Sequence, residues 1–205
     1  DLDYPRDRFR VVILDDGKSA GLEAQCAKLA LTYPNLYYMA RIKVPGQPHH
    51  FKAGNLNYGL DQVHLLPGGA GQFMAALDAD MVKITASSNA QWFADMDRFP
   101  SVTGSVLFSL ISSSIQDGSR LSAKLFYNTP RSDPLAQSLD FFVHVIEPIK
   151  DSLGVAWCTG SGYVARREAL DQIGNFPLGS LAEDVATSTL MLGKGWKTAY
   201  VLEPL

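Results

Sequence analysis

Cysteine is nearly missing from this 205-residue chain: Cys26 and Cys158 lie far apart and share no metal-ligand spacing. That argues against a disulfide-stapled scaffold or a cysteine-rich zinc site, and predicts reduced, partly buried thiols in a cytosolic setting. Surplus positive charge is missing too. A net charge of -3 and an isoelectric point near 5.8 leave no basic footprint for nucleic acid, so any anion binding must be local. No stretch reaches the roughly 18 to 20 apolar residues of a membrane span, and Asp1-Leu2-Asp3-Tyr4-Pro5 is not a signal peptide. Neither G-x-x-x-x-G-K-[ST] nor G-x-G-x-x-G occurs, which removes the main support for an ATPase or a nicotinamide enzyme. Internal repeats and low-complexity tracts are absent as well.

What is present suits one full-sized core. Hydrophobic residues make up 46% of the chain, and its length fits a single domain spanning residues 1–205. It starts within a few residues of a predicted strand and stops at Glu203-Pro204-Leu205 just after another, so it reads as an excised piece of something longer.

The apolar run from Phe9 to Leu14, closed by Asp15-Asp16-Gly17, has the pattern of a buried parallel strand. Helical spacing follows, with Leu22, Cys26, Leu29 and Ala30 on one inward face and a stop before Pro34. Leu36 to Met39 reads as a strand, Val44 to Pro48 as a loop, and Ala53 to Leu65 as a helix with Leu56, Leu60 and Val63 inward. A Pro67-Gly68-Gly69 break precedes the strand that leads to Asp78. Further on, Val102 to Ile111 has strand character and Leu135 to Ile149 helical character. Trp157 to Gly162 is a small-residue loop, Tyr163 to Ala165 a strand, Arg166 to Ile173 a polar helix, Leu181 to Leu192 a helix and Ala199 to Leu202 a strand. Alternating strands and helices predict an α/β fold with right-handed crossovers, in which ligands bind beyond the carboxyl ends of the strands. Asp15-Asp16 and Asp78-Ala79-Asp80 both sit at such ends and are expected to face one crevice.

Asp78-Ala79-Asp80 closes the run Phe73 to Leu77, and side chains at i and i+2 of a strand emerge on the same side. Two carboxylates so placed suit Mg²⁺ or Mn²⁺, which keeps its other positions for water and phosphate oxygens; the same pair also suits an Asx-type turn. Lys52-Ala53-Gly54-Asn55 opens a helix, where free N–H groups and the helix dipole favour an anion, lysine adds a charge and glycine permits close approach. Asp15 and Asp16 could accept hydrogen bonds from a nucleobase or ribose, or form a D-D-G turn. Ser180-Leu181-Ala182-Glu183 has the form of a capping box, which places Asp184 in the first helical turn, where a general base stays ionised. His49 and His50 point apart on an extended loop and read as exposed loop residues, and Phe141, Phe142, His144 and Ile146 read as packing.

Taken in order, Leu14-Asp15-Asp16-Gly17, Lys52-Ala53-Gly54-Asn55-Leu56-Asn57, Asp78-Ala79-Asp80, Thr159-Gly160-Ser161-Gly162 with Arg166-Arg167-Glu168-Ala169-Leu170, and Glu183-Asp184 with Gly195-Trp196 resemble the family 2 processive glycosyltransferases, cellulose synthase catalytic subunits above all. The resemblance implies a GT-A fold, a Rossmann-like mixed sheet flanked by helices. It also implies inverting transfer of a sugar, with glucose as the nearest guess, from a UDP-sugar donor to a growing polysaccharide. By the same resemblance Asp16, with Asp15 beside it, matches the uridine-binding aspartate, and Lys52 and Gly54 match diphosphate contacts. Asp78 and Asp80 match the metal motif, with Asp78 also on the donor, and the implied cofactor is Mg²⁺ or Mn²⁺. Asp184 matches the catalytic base, with Glu183 counted among the substrate-binding residues beside it; Trp157, Thr159 and Gly160 match the loop lining the acceptor path. Full-length relatives of this kind imply membrane attachment through flanking segments, with this domain facing the cytosol.

Departures from the family pattern are equally specific. Ala182 stands where threonine is usual before Glu-Asp, the chain ends before any Q-x-x-R-W motif, the usual first strand before Asp1 is missing, and residues 82–124 are longer than and unlike the family's segment. Two further readings stay open: a non-processive family 2 transferase acting on a lipid or small acceptor, and a nucleotide-sugar-binding module without turnover.

Overall fold

The computed structural model describes residues 6–76, 105–109, 141–158, 160 and 163–201. These described residues group into two units: those within 4–71 with 175–183, and those within 72–174 with 184–205. Among the described residues no helix is long and apolar enough to cross a membrane.

In the first unit, β1 (Val11–Leu14) and β2 (Leu36–Met39) pair in parallel, with Val11 opposite Leu36 and Leu14 opposite Met39. Parallel neighbours need a crossover, and α1 (Ala20–Ala30) supplies it. Ser19 starts α1 by accepting the Leu22 N–H at 3.3 Å, and the helix ends before Pro34 as predicted. Its inward face is narrower than the spacing suggests. Cys26 is buried, but Leu22 and Leu29 are 36% and 50% exposed. The second helix, α2 (Phe51–Gln62), starts two residues earlier than predicted and runs into a short 3₁₀ turn, Val63–Leu65. Ala53 and Leu60 face inward from it. Asn57 exchanges two hydrogen bonds with the backbone of Phe176, at 2.8 and 2.9 Å, and Phe176 is fully buried.

The second unit holds a four-stranded mixed sheet in the order β3 (Phe73–Ala76), β5 (Tyr163–Arg166), β4 (Ser105–Ser109), β6 (Lys197–Val201). Strand β5 lies antiparallel to both neighbours, with Ala76 opposite Tyr163 and Leu107 opposite Val164, whereas β4 and β6 run parallel. Tyr163, Val164 and Ala165 are all buried, the behaviour of a central strand covered on both faces. The expected strand within 102–111 is β4, and the expected sheet is mixed.

Among the described residues, three helices accompany this sheet. A π turn, Phe142–Ile146, leads into α3 (Glu147–Ser152), whose second residue is Pro148. Proline has no N–H for the carbonyl four residues back, and a widened turn relieves the clash of its ring with that carbonyl. Helix α4 (Arg167–Ile173) follows β5 directly and buries Ala169 and Leu170. Helix α5 (Glu183–Gly193) buries Thr187, Ser188 and Met191. Full burial of Leu170 or Met191 contributes about 1.5–3 kcal/mol each.

Candidate functional site

Asp15 and Asp16 end β1, and their carboxylates serve different purposes. Asp15 Oδ1 accepts the Gly17 N–H at 2.8 Å, while Oδ2 accepts the Ser19 N–H at 2.7 Å and the Tyr38 hydroxyl at 2.8 Å. These bonds, Ser19 first, hold the Asp15 pKa below its usual range. Loss of solvent and the bond to Asp15 push the Tyr38 phenol up to about 12. Asp15 thus forms the turn from β1 to α1.

Asp16 faces Arg41. The guanidinium donates from Nε to Oδ1 at 2.6 Å and from Nη2 to Oδ2 at 3.1 Å, and Lys43 reaches Oδ2 at 2.8 Å. Chiefly through the Arg41 bonds, the Asp16 pKa falls to about 2. Arg41 also donates to the carbonyls of His49 at 2.6 Å and Phe51 at 3.0 Å. One buried side chain therefore ties the end of β1 to the start of α2, where Lys52 and Gly54 lie. Arg41 was not among the sequence candidates. Its only signal is an arginine standing just after a strand in a loop that must turn back toward the Asp15-Asp16 pair.

Gly54 explains itself in the same geometry. A Cβ there would collide with the His49 carbonyl and with Arg41 Nη1, so the open face of this glycine is filled by the protein's own groups. Gly54→Ala is expected to cost about 1–3 kcal/mol through overpacking, read as a lower urea midpoint. An unchanged midpoint would show that the glycine is not needed for packing. Asn55 donates to the Leu14 carbonyl at 3.1 Å, holding α2 to β1. His50 and Phe51 take left-handed backbone angles, φ 54° and 41°, at the helix start. The two histidines are half-buried rather than exposed: His49 Nδ1 accepts the Phe51 N–H at 3.2 Å, and His50 Nδ1 lies 3.0 Å from the Leu178 carbonyl. Their rings are held by backbone groups of the same unit, which is why they are not loop-surface side chains.

In the second unit the loop Trp157-Cys158 and Gly160 meets Asp184. Gly160 has φ 86°, and a Cβ on it would stand 3.0 Å from Asp184 Oδ2. Asp184 Oδ1 accepts the Val185 N–H at 2.8 Å in the first turn of α5. Ser188, one turn on, accepts the Cys158 N–H at 2.6 Å and donates to the Asp184 carbonyl at 2.9 Å. Two sequence-predicted elements, the small-residue loop and the predicted base, are thus brought side by side by a serine that the sequence did not single out. Trp157 is half-buried; its N–H donates to Glu147 Oε2 at 3.0 Å, and Lys150 Nζ lies 3.1 Å over its ring.

The capping box does not form. Helix α5 begins at Glu183, and Ser180 instead accepts the Ala182 N–H at 3.2 Å and donates to the Ala182 carbonyl at 3.1 Å, a tight local turn. Ser180 is two residues too far from the observed helix start to serve as its cap. Lys52 and Glu183 are both half-buried. Thr159, Asp78 and Asp80 lie outside the described residues, as does residues 82–124 apart from β4, and so does the expected shared crevice of Asp15-Asp16 with Asp78-Ala79-Asp80. Among the described residues no group of three or more His, Cys, Asp and Glu side chains could hold a metal ion.

No protein-family model matches the chain. Over its whole length it is 30% identical, across 207 residues, to the UDP-forming cellulose synthase catalytic subunit of Komagataeibacter sucrofermentans, of which it covers 24%. It is likewise 30% identical, across 209 residues, to the cellulose synthase 1 catalytic subunit of Komagataeibacter xylinus, again covering 24%. Against the corresponding subunit of Pseudomonas fluorescens the identity is 25% across 215 residues, covering 99% of this chain and 24% of the relative. The chain spans about a quarter of the length of these relatives. Among solved structures, the mannosyltransferase PcManGT of Pyrobaculum calidifontis, in complex with GDP-Man and Mn²⁺, superposes with a TM-score of 0.59 at 19% identity, covering 98% of this chain and 48% of the other. TarS residues 1–349 of S. aureus superpose with a TM-score of 0.57 at 16% identity, covering 99% and 51%. The chain is thus similar to the cellulose synthase catalytic subunits along its whole length, and its fold is that of the GT-A glycosyltransferases.

Proposed function

We propose that residues 1–205 form a single GT-A catalytic domain that moves a sugar, glucose in the first instance, from a UDP-sugar to a growing polysaccharide. The observation that carries this reading is the Asp184 carboxylate set against Gly160, in the loop that follows Trp157. An acceptor hydroxyl lying along that loop has a carboxylate within reach, and no side chain at position 160 intervenes. Similarity along the whole chain to UDP-forming cellulose synthase catalytic subunits supports the donor and the polymer product.

In the proposed reaction Asp184 takes the proton of the acceptor hydroxyl as its oxygen attacks the anomeric carbon. A new carbon–oxygen bond forms, the bond from that carbon to the diphosphate breaks on the opposite face, and UDP leaves with the electron pair. Configuration at the anomeric carbon inverts. Lys52, in the first turn of α2, adds positive charge for the diphosphate. Asp16, held by Arg41, and Asp15, held in its turn, shape the nucleoside side. Thr159 and Glu183 complete the acceptor and donor contacts. Asp78 and Asp80, just beyond β3, would hold Mg²⁺ or Mn²⁺, which when bound supplies charge to stabilise the departing diphosphate. In the full-length protein, flanking segments would sit in the membrane with this domain on the cytosolic side.

Calorimetric titration with UDP and with UDP-glucose, in Mn²⁺ and then in EDTA, tests the donor side. Metal-dependent binding is expected, with Asp80→Ala weakening UDP at least about tenfold. Equal UDP affinity in Asp80→Ala and in the unaltered chain would sink the metal assignment, and absence of UDP binding by the folded chain would sink the donor assignment.

A further inference from the structure

The strongest unassigned cluster in the second unit is built on α3. Glu147 is fully buried, and a buried carboxylate is costly unless both oxygens are satisfied. Its Oε1 lies 3.0 Å from Lys150 Nζ, and its Oε2 accepts the backbone N–H of Trp157 at 3.0 Å. Lys150 Nζ in turn sits 3.1 Å over the Trp157 ring and 5.4 Å from the Phe142 ring. One ion pair, spanning a single helical turn, therefore grips both the main chain and the side chain of one residue. Stability alone does not call for this arrangement, since well-packed apolar residues of similar size commonly do as well as a buried ion pair.

The grip continues along the loop. Cys158, the next residue, is tied through Ser188 to the Asp184 carbonyl, and Gly160 abuts the Asp184 carboxylate. An ammonium seated on one face of the indole also closes that face to a ligand and fixes the ring plane.

We propose that Glu147 and Lys150 are positioning residues for the acceptor side of the site: they set the plane and the backbone of Trp157, and through it the loop that presents an acceptor to Asp184. The proposal rests on the acceptor role given above to that loop. The test uses Lys150→Met, which keeps the volume and removes the charge, and Lys150→Arg, whose guanidinium also stacks on an indole. Two readouts are taken: initial rates with UDP-glucose against a β-1,4-linked glucose tetrasaccharide, and acrylamide quenching of Trp157 obtained by difference from Trp157→Phe.

Lys150→Met is expected to raise the KM for the tetrasaccharide about tenfold with kcat within about threefold, and to raise Trp157 quenching about twofold, while UDP affinity holds; Lys150→Arg restores both. Unchanged quenching in Lys150→Met overturns the proposal. So does a loss in which kcat and UDP affinity fall together with the acceptor term, since that is general damage. If the unaltered chain binds UDP but transfers nothing, the proposed activity fails, and quenching alone then decides the positioning role: a rise in Lys150→Met that Lys150→Arg reverses supports it, and no rise overturns it.

Discussion

Replacing Arg41 with alanine is expected to lower the unfolding free energy by about 3 kcal/mol, among the largest stability losses any single substitution in the first unit can produce. The guanidinium is buried and has four acceptor contacts: two on Asp16 and one each on the carbonyls of His49 and Phe51. Alanine leaves the carboxylate with Lys43 alone and the two carbonyls without this donor. Lysine at position 41 recovers the charge but not the fork, so Arg41→Lys is expected to regain less than half of the loss. Urea unfolding of the three chains, followed by circular dichroism, gives the comparison directly.

The same substitution is expected to change the acid limb of stability. Asp16 titrates at about 2 in the folded chain, below the ordinary aspartate value of about 3.9, so its ionised form favours the folded state. That contribution, about 1–2 kcal/mol after allowance for partial exposure, is complete above about pH 5 and drains away as pH falls from about 4 to 2. In Arg41→Ala the slope of stability between those pH values flattens. A slope as steep as in the unaltered chain would mean that Arg41 is not what holds Asp16 ionised.

The second large effect is expected at Asp184. Asp184→Asn keeps the size of the side chain and its acceptor for the Val185 N–H but removes the proton-accepting charge. Transfer is expected to fall by about 10²–10⁴-fold, with UDP affinity within about twofold, in rate assays beside calorimetry. Retained transfer would assign the base to another group, whereas joint loss of transfer and UDP binding would make Asp184 a binding residue.

The parts of the fold that were legible in the sequence are those where side-chain pattern and backbone need agree. Leu36 to Met39 lies between turn signals and forms β2 over that same range, and the alternation of strands and helices led to the α/β class, whereas the mixed sheet was expected only through the resemblance. Long-range polar contacts were not legible. Arg41 follows no periodicity, and its value comes from acceptors that the chain brings to it from β1 and from the start of α2. Helix ends misled in the same way: Ser180 and Glu183 have capping-box spacing, yet the serine closes a turn on Ala182 and the helix starts later. Along α1 the apolar spacing was real, but of the four residues only Cys26 is buried. Of the candidate site, the small-residue loop and Asp184 were named through the resemblance carried by the ordered motifs, since local sequence alone left Asp184 equally readable as a helix-start residue. The groups that hold them, Ser188, Glu147 and Lys150, act through backbone atoms or an aromatic face and leave no motif.

The clasp between Asn57 and Phe176 joins points 119 residues apart along the chain. Its first half leaves the ribosome long before its second, so the Asn57 amide has only water for a partner until Phe176 has been synthesised. Closing so long a loop adds entropy cost only slowly with length, but it delays the event. Assembly of the first unit is therefore tied to late translation, and an N-terminal piece ending near Gly71 would be released without the segment that completes it.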